Sequence, residues 1–331
     1  MSGRIESEIK TEKNIENILK ELPGFVADYY YSISTATTAK TCETYLKQIR
    51  GMFRYISTNT KEIKPDDINE MIVARYLKSI QTKNVNGTVK ATSFSYQKTI
   101  WSSLNGLFTY MTHRRLIEDN PMNTIKRPRY QDDVKHVELK TRNLNKILQA
   151  IEEGAGTDLA KKKQNKWKER DKLIVLLFIY TGMRCTALSE IDLSDIDIDN
   201  DTLYIMDKRK TTHKYYLNDS VKWGIEDWLE KREEILNGQK CDALFISSFR
   251  SRLSSKEVYT LIGKYSEEAL GYRISPHKIR AAFCTILYNK THDIEFVKDA
   301  VGHKSVSTTS RYIIKNNNIK KKASDIMESL L

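Results

Sequence analysis

Apolar residues in this chain recur at helical spacing almost throughout and at two-residue spacing in one short stretch, and that contrast limits the fold more than any other feature. Tyr45, Ile49, Phe53 and Ile56 are spaced four, four and three, and Ile100, Leu104, Leu107, Phe108 and Met111 form a second stripe. Between them, Pro65 and Asp66 have the character of a helix start leading into Ile68, Ile72, Tyr76 and Leu77. Leu144, Ile147, Leu148 and Ile151 mark a further helix. From 196 to 217 the period changes: Ile196, Ile198, Leu203, Ile205 and then Tyr215 to Leu217 alternate with polar residues, and Asn200-Asp201 supplies a turn. Helical patterns return from Val221 and dominate to the end. The expected class is mainly α with a small antiparallel β-sheet, an α+β chain. The longest apolar stretch, Leu173 to Tyr180, is far too short to span a bilayer. Its length does not separate a buried helix from a buried strand.

Charge and punctuation suggest the domain plan. Residues 1–22 are highly charged and are expected to form a frayed or partly helical arm. Residues 23–123 carry four or five short helices with basic outer faces, a helical domain. Asn120-Pro121 ends the last of these, and Pro128 follows in KRPRYQDDVKHVELK. The polar segment 124–140 has no helical stripe and is expected to be an interdomain linker. A second domain spans 141–315, with KKKQNKWKER (161–170) as a basic loop or helix start. After Asn316-Asn317-Asn318, Ile319, Ala323, Ile326, Met327 and Leu330 are spaced for one apolar helix face, so 316–331 is expected to be a C-terminal helix.

Lys and Arg number 55 against 43 Asp and Glu, a formal charge of +12. Such a surplus favours polyanionic partners, because neutralising phosphates releases condensed counterions. Cys42, Cys185, Cys241 and Cys284 are far apart, form no CxxC pair, and argue against a zinc site or a disulfide scaffold. The six histidines include no HExxH, and there is no Walker loop and no GxGxxG. No cofactor and no metal are therefore expected. The start MSGRIESEIKTEKN is polar and lacks an apolar signal core, so a cytoplasmic location and no membrane partner are expected.

Three local patterns carry candidate chemistry. Thr181-Gly182-Met183-Arg184 places an arginine just past a glycine turn. Ser275-Pro276-His277-Lys278-Ile279-Arg280 has a proline that would open a helix, with His277 and Arg280 one turn apart on the same face. Val301-Gly302-His303-Lys304-Ser305-Val306-Ser307-Thr308-Thr309-Ser310-Arg311-Tyr312 follows. Each alone is uninformative. In this order, with a lysine at the sheet turn between the first and second, they resemble the tyrosine recombinase and phage integrase family. The resemblance covers about residues 140 to 315. The N-terminal helical region is similar to the family's core-binding domain in pattern only.

The resemblance implies a helical core-binding domain followed by a tyrosine-recombinase catalytic domain, and it assigns roles. Arg184 is similar to the first family arginine. Lys208 in YIMDKRK matches the family lysine, with Lys210 as the fallback. His277 and Arg280 match the second box, His303 the histidine of the third, and Tyr312 the nucleophile. Two departures stand out: Ala187 lies where the family often has an acidic residue, and Ala281 where a basic one is frequent. The residue types suit phosphoryl chemistry without a metal. Two guanidinium forks can bind the non-bridging oxygens of a pentacovalent phosphorus. A phenol with an ordinary pKa of about 10 needs a nearby base or a strong positive field to attack. His277 is the candidate base, His303 a phosphate hydrogen-bond donor, and Lys208 the general acid for the leaving 5′ oxygen.

The same resemblance implies double-stranded DNA as partner, a homo-oligomer on DNA (a tetramer in the synapse), accessory DNA-bending proteins, and two domains clamped around the duplex. Candidate phosphate contacts are Lys40, Lys47, Arg50, Lys98, Arg114 and Arg115. The expected function is site-specific recombination through a 3′-phosphotyrosyl intermediate, for integration, excision or resolution of a mobile element or replicon. The alternatives are a type IB topoisomerase-like relaxing enzyme, a non-catalytic DNA-binding relative, and an unrelated RNA-binding or scaffold protein.

Overall fold

The structure, a computed structural model, describes residues 3–85, 87–128, 139–206, 212–302 and 305–310. The chain divides between residues 134 and 135 into two compact units. The class is mainly α with small antiparallel sheets, as the periodicities imply.

The first unit contains α1 (Gly3–Leu19), α2 (Gly24–Ser34), α3 (Ala39–Ile56), α4 (Glu70–Ser79), a hairpin of β1 (Thr82–Val85) and β2 (Thr88–Ala91), and α5 (Phe94–His113). Thr38, Asn69 and Ser93 open α3, α4 and α5 by accepting backbone N–H bonds from Thr41, Ile72 and Tyr96. The core is the seam between α3 and α5. Ile100, Leu104, Leu107, Phe108 and Met111 are fully buried, as their spacing predicts. On α3 the buried line is Cys42, Leu46, Ile49 and Phe53, and Tyr45 and Ile56 lie at its margin. The line is rotated from the expected stripe because Cys42 and Leu46 fill the space at the first turns.

Three expectations are corrected here. Residues 1–22 are mostly helical, one of the two forms expected, but they are not an arm: Ile15, Ile18 and Leu22 are buried in this unit's core. Their three-and-four spacing lies among so many charges that the stripe is easily overlooked. Pro65 and Asp66 do not open α4. They form a separate 3-10 turn, and α4 starts at Glu70 because Asn69 caps it. The hairpin at 82–91 lies where only helices were expected. Its signal was the dipeptide Asn86-Gly87, which favours the tight turns that join antiparallel strands.

The second unit contains α6 (Thr141–Glu153), α7 (Asp158–Asn165), α8 (Lys168–Thr181), α9 (Cys185–Ser189), a sheet of β3 (Ile196–Asp197), β4 (Thr202–Met206) and β5 (Thr212–Tyr216), then α10 (Asp219–Leu236), α11 (Ser255–Leu270), α12 (Pro276–Thr291), α13 (Ile294–Val301) and α14 (Val306–Ser310). The sheet is antiparallel in the order β3-β4-β5, with Ile196 opposite Leu203 and Leu203 opposite Tyr215. Leu173–Tyr180 is helical. With the preceding KERDK and the following Thr181 the helix runs to fourteen residues, longer than a strand of this kind. Leu173, Ile174, Val175, Leu177 and Phe178 are all fully buried, because α8 is the central helix against which α6, α10 and α12 pack. Its first turn is fixed by polar contacts. The buried Asp171 carboxylate accepts from Arg170 and, at 2.9 Å, from the Tyr265 hydroxyl of α11. Arg170 also donates to the Ile246 carbonyl at 2.8 Å. Residues 316–331, expected to form a C-terminal helix, and most of the expected 124–140 linker lie outside the described residues.

One buried charge ties α1 to α3. The Glu43 side chain is 1% exposed and accepts from Lys40 at 2.6 Å, Lys47 at 2.7 Å and Asn14 at 3.0 Å. Burial pushes its carboxyl up, but the hydrogen bonds from Lys40, Lys47 and Asn14 outweigh it and bring the pKa down to about 2 from 4.5. A lowered carboxylate pKa stabilises the fold fully above 4.5, and that contribution is lost as pH falls towards 2. Glu43→Ala should therefore cost about 2 kcal/mol at pH 7. The gap between variant and wild type should narrow as pH falls through this window, which urea melts at neutral and acid pH will measure.

Candidate active site

The site grows from the end of α8. Gly182 closes that helix in the left-handed region, at φ +58°. A Cβ there would lie 2.5 Å from the Phe283 ring, so glycine is what lets α12 lie against the turn. Two residues on, Arg184 is the N-cap of α9 and is exposed. Pro276 occupies the first turn of α12, as expected, so His277 and Arg280 fall one turn apart.

Arg280 is 1% exposed. Its guanidinium donates to the Gly182 carbonyl and, at 2.8 Å, to the Val301 carbonyl. These oxygens belong to the C-terminal ends of α8 and α13, where aligned peptide dipoles leave partial negative charge. The Arg184 guanidinium makes a longer contact, 3.5 Å, with the carbonyl of the next residue, Gly302. Gly302 is also left-handed, at φ +63°, and a Cβ on it would lie 2.8 Å from the His213 ring of β5. Three distant parts of the second unit thus meet at Val301-Gly302: the turn after α8, the first turns of α12, and the inner face of β5. His303 follows immediately in sequence. Beyond it, α14 packs on α13 and its Thr309 is fully buried.

His277 keeps part of its ring in solvent and stands 6.1 Å from the Tyr259 ring, edge to face. Desolvation, then the positive charges of Arg280 and Arg184, hold its pKa below the usual 6.5. At neutral pH its imidazole is uncharged, the form that can accept a proton. Lys208, its fallback Lys210, His303 and Tyr312 lie outside the described residues.

Two residues of this region escaped sequence reasoning. Arg252 donates to the carbonyls of Ser189 at 3.1 Å and Ile191 at 3.2 Å and pairs with Asp192, anchoring the far end of the helix that Arg184 starts. Nothing in a loop of serines and arginines announces that role. His213 does have a signal: it shares the inward parity of Tyr215 and Leu217. Ala187, at the family's frequently acidic position, packs its methyl against the core.

The candidate DNA contacts lie in the first unit and differ in character. Lys40 and Lys47 are held by Glu43, and Arg50 by Glu21 at 3.0 Å. Arg114 lies over the Tyr110 ring, and Lys98 and Arg115 are exposed. Among the described residues no group of three or more His, Cys, Asp or Glu side chains is arranged to hold a metal ion, and no helix is long and apolar enough to cross a membrane.

The model of the phage integrase family matches residues 137–318. The tyrosine recombinase XerD of Neisseria meningitidis serogroup A is 24% identical over 269 residues, covering 81% of this chain and 84% of that protein. Among solved structures, the XerH site-specific recombinase in a post-cleavage complex with palindromic difH substrate has a TM-score of 0.63 at 22% identity, covering 88% of this chain and 80% of that one. A lambda integrase tetramer bound to a Holliday junction also has a TM-score of 0.63, at 21% identity, covering 88% of this chain and 76% of that one. At these identities the structures establish a shared fold.

Burial first, and then the charges of Arg280 and Arg184, lower the His277 titration, which NMR can follow through the ring protons. The wild-type imidazole should titrate below 6.5. Arg184→Gln, which removes an exposed cation and spares the buried one, should move that titration upward. An unchanged titration would show that the Arg184 charge does not reach the ring.

Proposed function

This chain belongs to the phage integrase family and is a tyrosine-type site-specific DNA recombinase, and from that premise we propose that it cuts and rejoins duplex DNA through a covalent bond between Tyr312 and a 3′ phosphate. The observation that carries this reading is the convergence of Arg184 and Arg280 on the consecutive carbonyls of Gly302 and Val301, directly before His303 in the chain. A phosphate docked there meets an exposed guanidinium backed by a buried one. Both are in place before the reaction begins, so charge developing on the non-bridging oxygens is stabilised without reorganisation.

The remaining roles follow from chemistry. Neutral His277 accepts the Tyr312 phenol proton as the oxygen attacks phosphorus. His303 donates a hydrogen bond to a non-bridging oxygen. Lys208 protonates the departing 5′ oxygen. The new phosphotyrosyl ester retains the energy of the broken phosphodiester, and a 5′ hydroxyl of a partner duplex can attack it, expelling Tyr312 and completing exchange. No nucleotide hydrolysis is needed. Double-stranded DNA is the partner, and a homo-tetramer on two duplexes, with or without DNA-bending proteins, is the assembly. Integration, excision or resolution of a mobile element or replicon would each use this chemistry.

A nicked suicide substrate tests the proposal, because the short released strand diffuses away and traps the adduct. Wild-type protein should accumulate covalent protein–DNA complex. Tyr312→Phe should bind the same DNA and form none, and Arg184→Gln should form it about 10² to 10³ times more slowly. An adduct in Tyr312→Phe would overturn the assignment.

A further inference from the structure

The hairpin of the first unit buries almost nothing. All its described residues are exposed except Val85, which is half-buried, and Val89 is 69% exposed. Isolated two-stranded hairpins are marginal in water, so this one is sustained by its mount. Thr92 supplies that mount. Its N–H donates to the Gln81 carbonyl at 2.8 Å, its hydroxyl to the Ile80 carbonyl at 2.7 Å, and Gln97 of α5 reaches back to the Thr92 carbonyl at 3.3 Å.

The register then does something costly. Lys83 stands directly opposite Lys90, so both ammonium groups project from the same face. Like charges directly opposed across a strand pair destabilise it. Neither lysine has an ion-pair partner among the described residues, in contrast to Lys40 and Lys47 of the same unit, which share Glu43. The other two residues on this face, Val85 and Thr88, are uncharged. An element that buries no core, is clamped at its base and concentrates unneutralised positive charge on one face is matched to a polyanion laid across it.

We propose that the β1–β2 hairpin is a DNA-backbone clamp, with Lys83 and Lys90 jointly contacting phosphates of the duplex the enzyme acts on. The proposal rests on the recombinase reading and adds to it a contact element outside the catalytic unit. The contact is to phosphate alone, so it contributes affinity equally to target and unrelated sequences. Bound phosphates also relieve the repulsion between the two lysines, so the hairpin is firmer on DNA than off it.

The test is equilibrium binding of the full chain to a labelled duplex across a salt series, with thermal melting alongside. Replacing both lysines (Lys83→Ala with Lys90→Ala) should weaken binding about tenfold near physiological salt. It should also flatten the log affinity against log salt slope by nearly 2, about 0.9 for each lost phosphate contact. The loss should be the same on specific and random DNA. Lys83→Glu separates binding from structure. It places opposite charges across the strands, so the melt should hold or rise while DNA affinity falls further than in the alanine variant. Wild-type affinity and slope in both variants would overturn the clamp and leave the recombinase reading intact. Failure of the wild type itself to bind duplex DNA would overturn both.

Discussion

The guanidinium of Arg280 lies between the carbonyl ends of two helices, and the catalytic unit is organised around that contact. Taking an arginine out of water costs several kcal/mol. Here the cost is offset by bonds to the Gly182 and Val301 carbonyls and by the partial negative charge at the C-termini of α8 and α13. The planar fork reaches both oxygens at once, which a lysine ammonium on a flexible stem would not do with the same geometry. Because one end of the contact is the turn before Arg184 and the other is the turn before His303, a single buried cation sets the spacing between two boxes of the active site.

That arrangement has chemical consequences. Arg280 is held on both sides by backbone oxygens, whereas Arg184 is exposed and makes one longer contact, to the Gly302 carbonyl. Burial, reinforced by the charges of both arginines, lowers the pKa of His277 and keeps it neutral at physiological pH, the state a proton acceptor requires. The two glycines at 182 and 302 are there for access. One lets Phe283 lie on the turn, the other lets His213 do so, and a methyl group at either would push α12 or β5 away from the site. Arg252 holds the helix started by Arg184 from its far end.

Much of this was legible in the chain. The period-two stretch gave β3 to β5 at 196–217, Pro276 marked the start of α12, and the order of the three boxes pointed to the family and its fold. What escaped did so for physical reasons. The stripe Ile15, Ile18, Leu22 is diluted by charges, so the segment reads as a frayed or partly helical arm rather than as core. Asn86-Gly87 is a strong hairpin signal, but only Thr88 to Ala91 alternates beside it, too short a run to stand out among helical stripes. The grip of Arg280 on Gly182 and Val301 joins residues 98 and 21 positions apart through backbone oxygens, which no side-chain pattern can record. Arg252 acts on backbone oxygens too, and is invisible for the same reason.

The central claim is that Arg184 and Arg280 are assembled to face one phosphate. It is tested most directly by a structure of Tyr312→Phe bound to its intact recombination site. The account predicts the scissile phosphate beside the Val301-Gly302 turn, with Arg184 nitrogens within about 3 Å of a non-bridging oxygen and the Arg280 guanidinium directly behind. A scissile phosphate held elsewhere in the catalytic unit, with Arg184 turned to solvent, would contradict it.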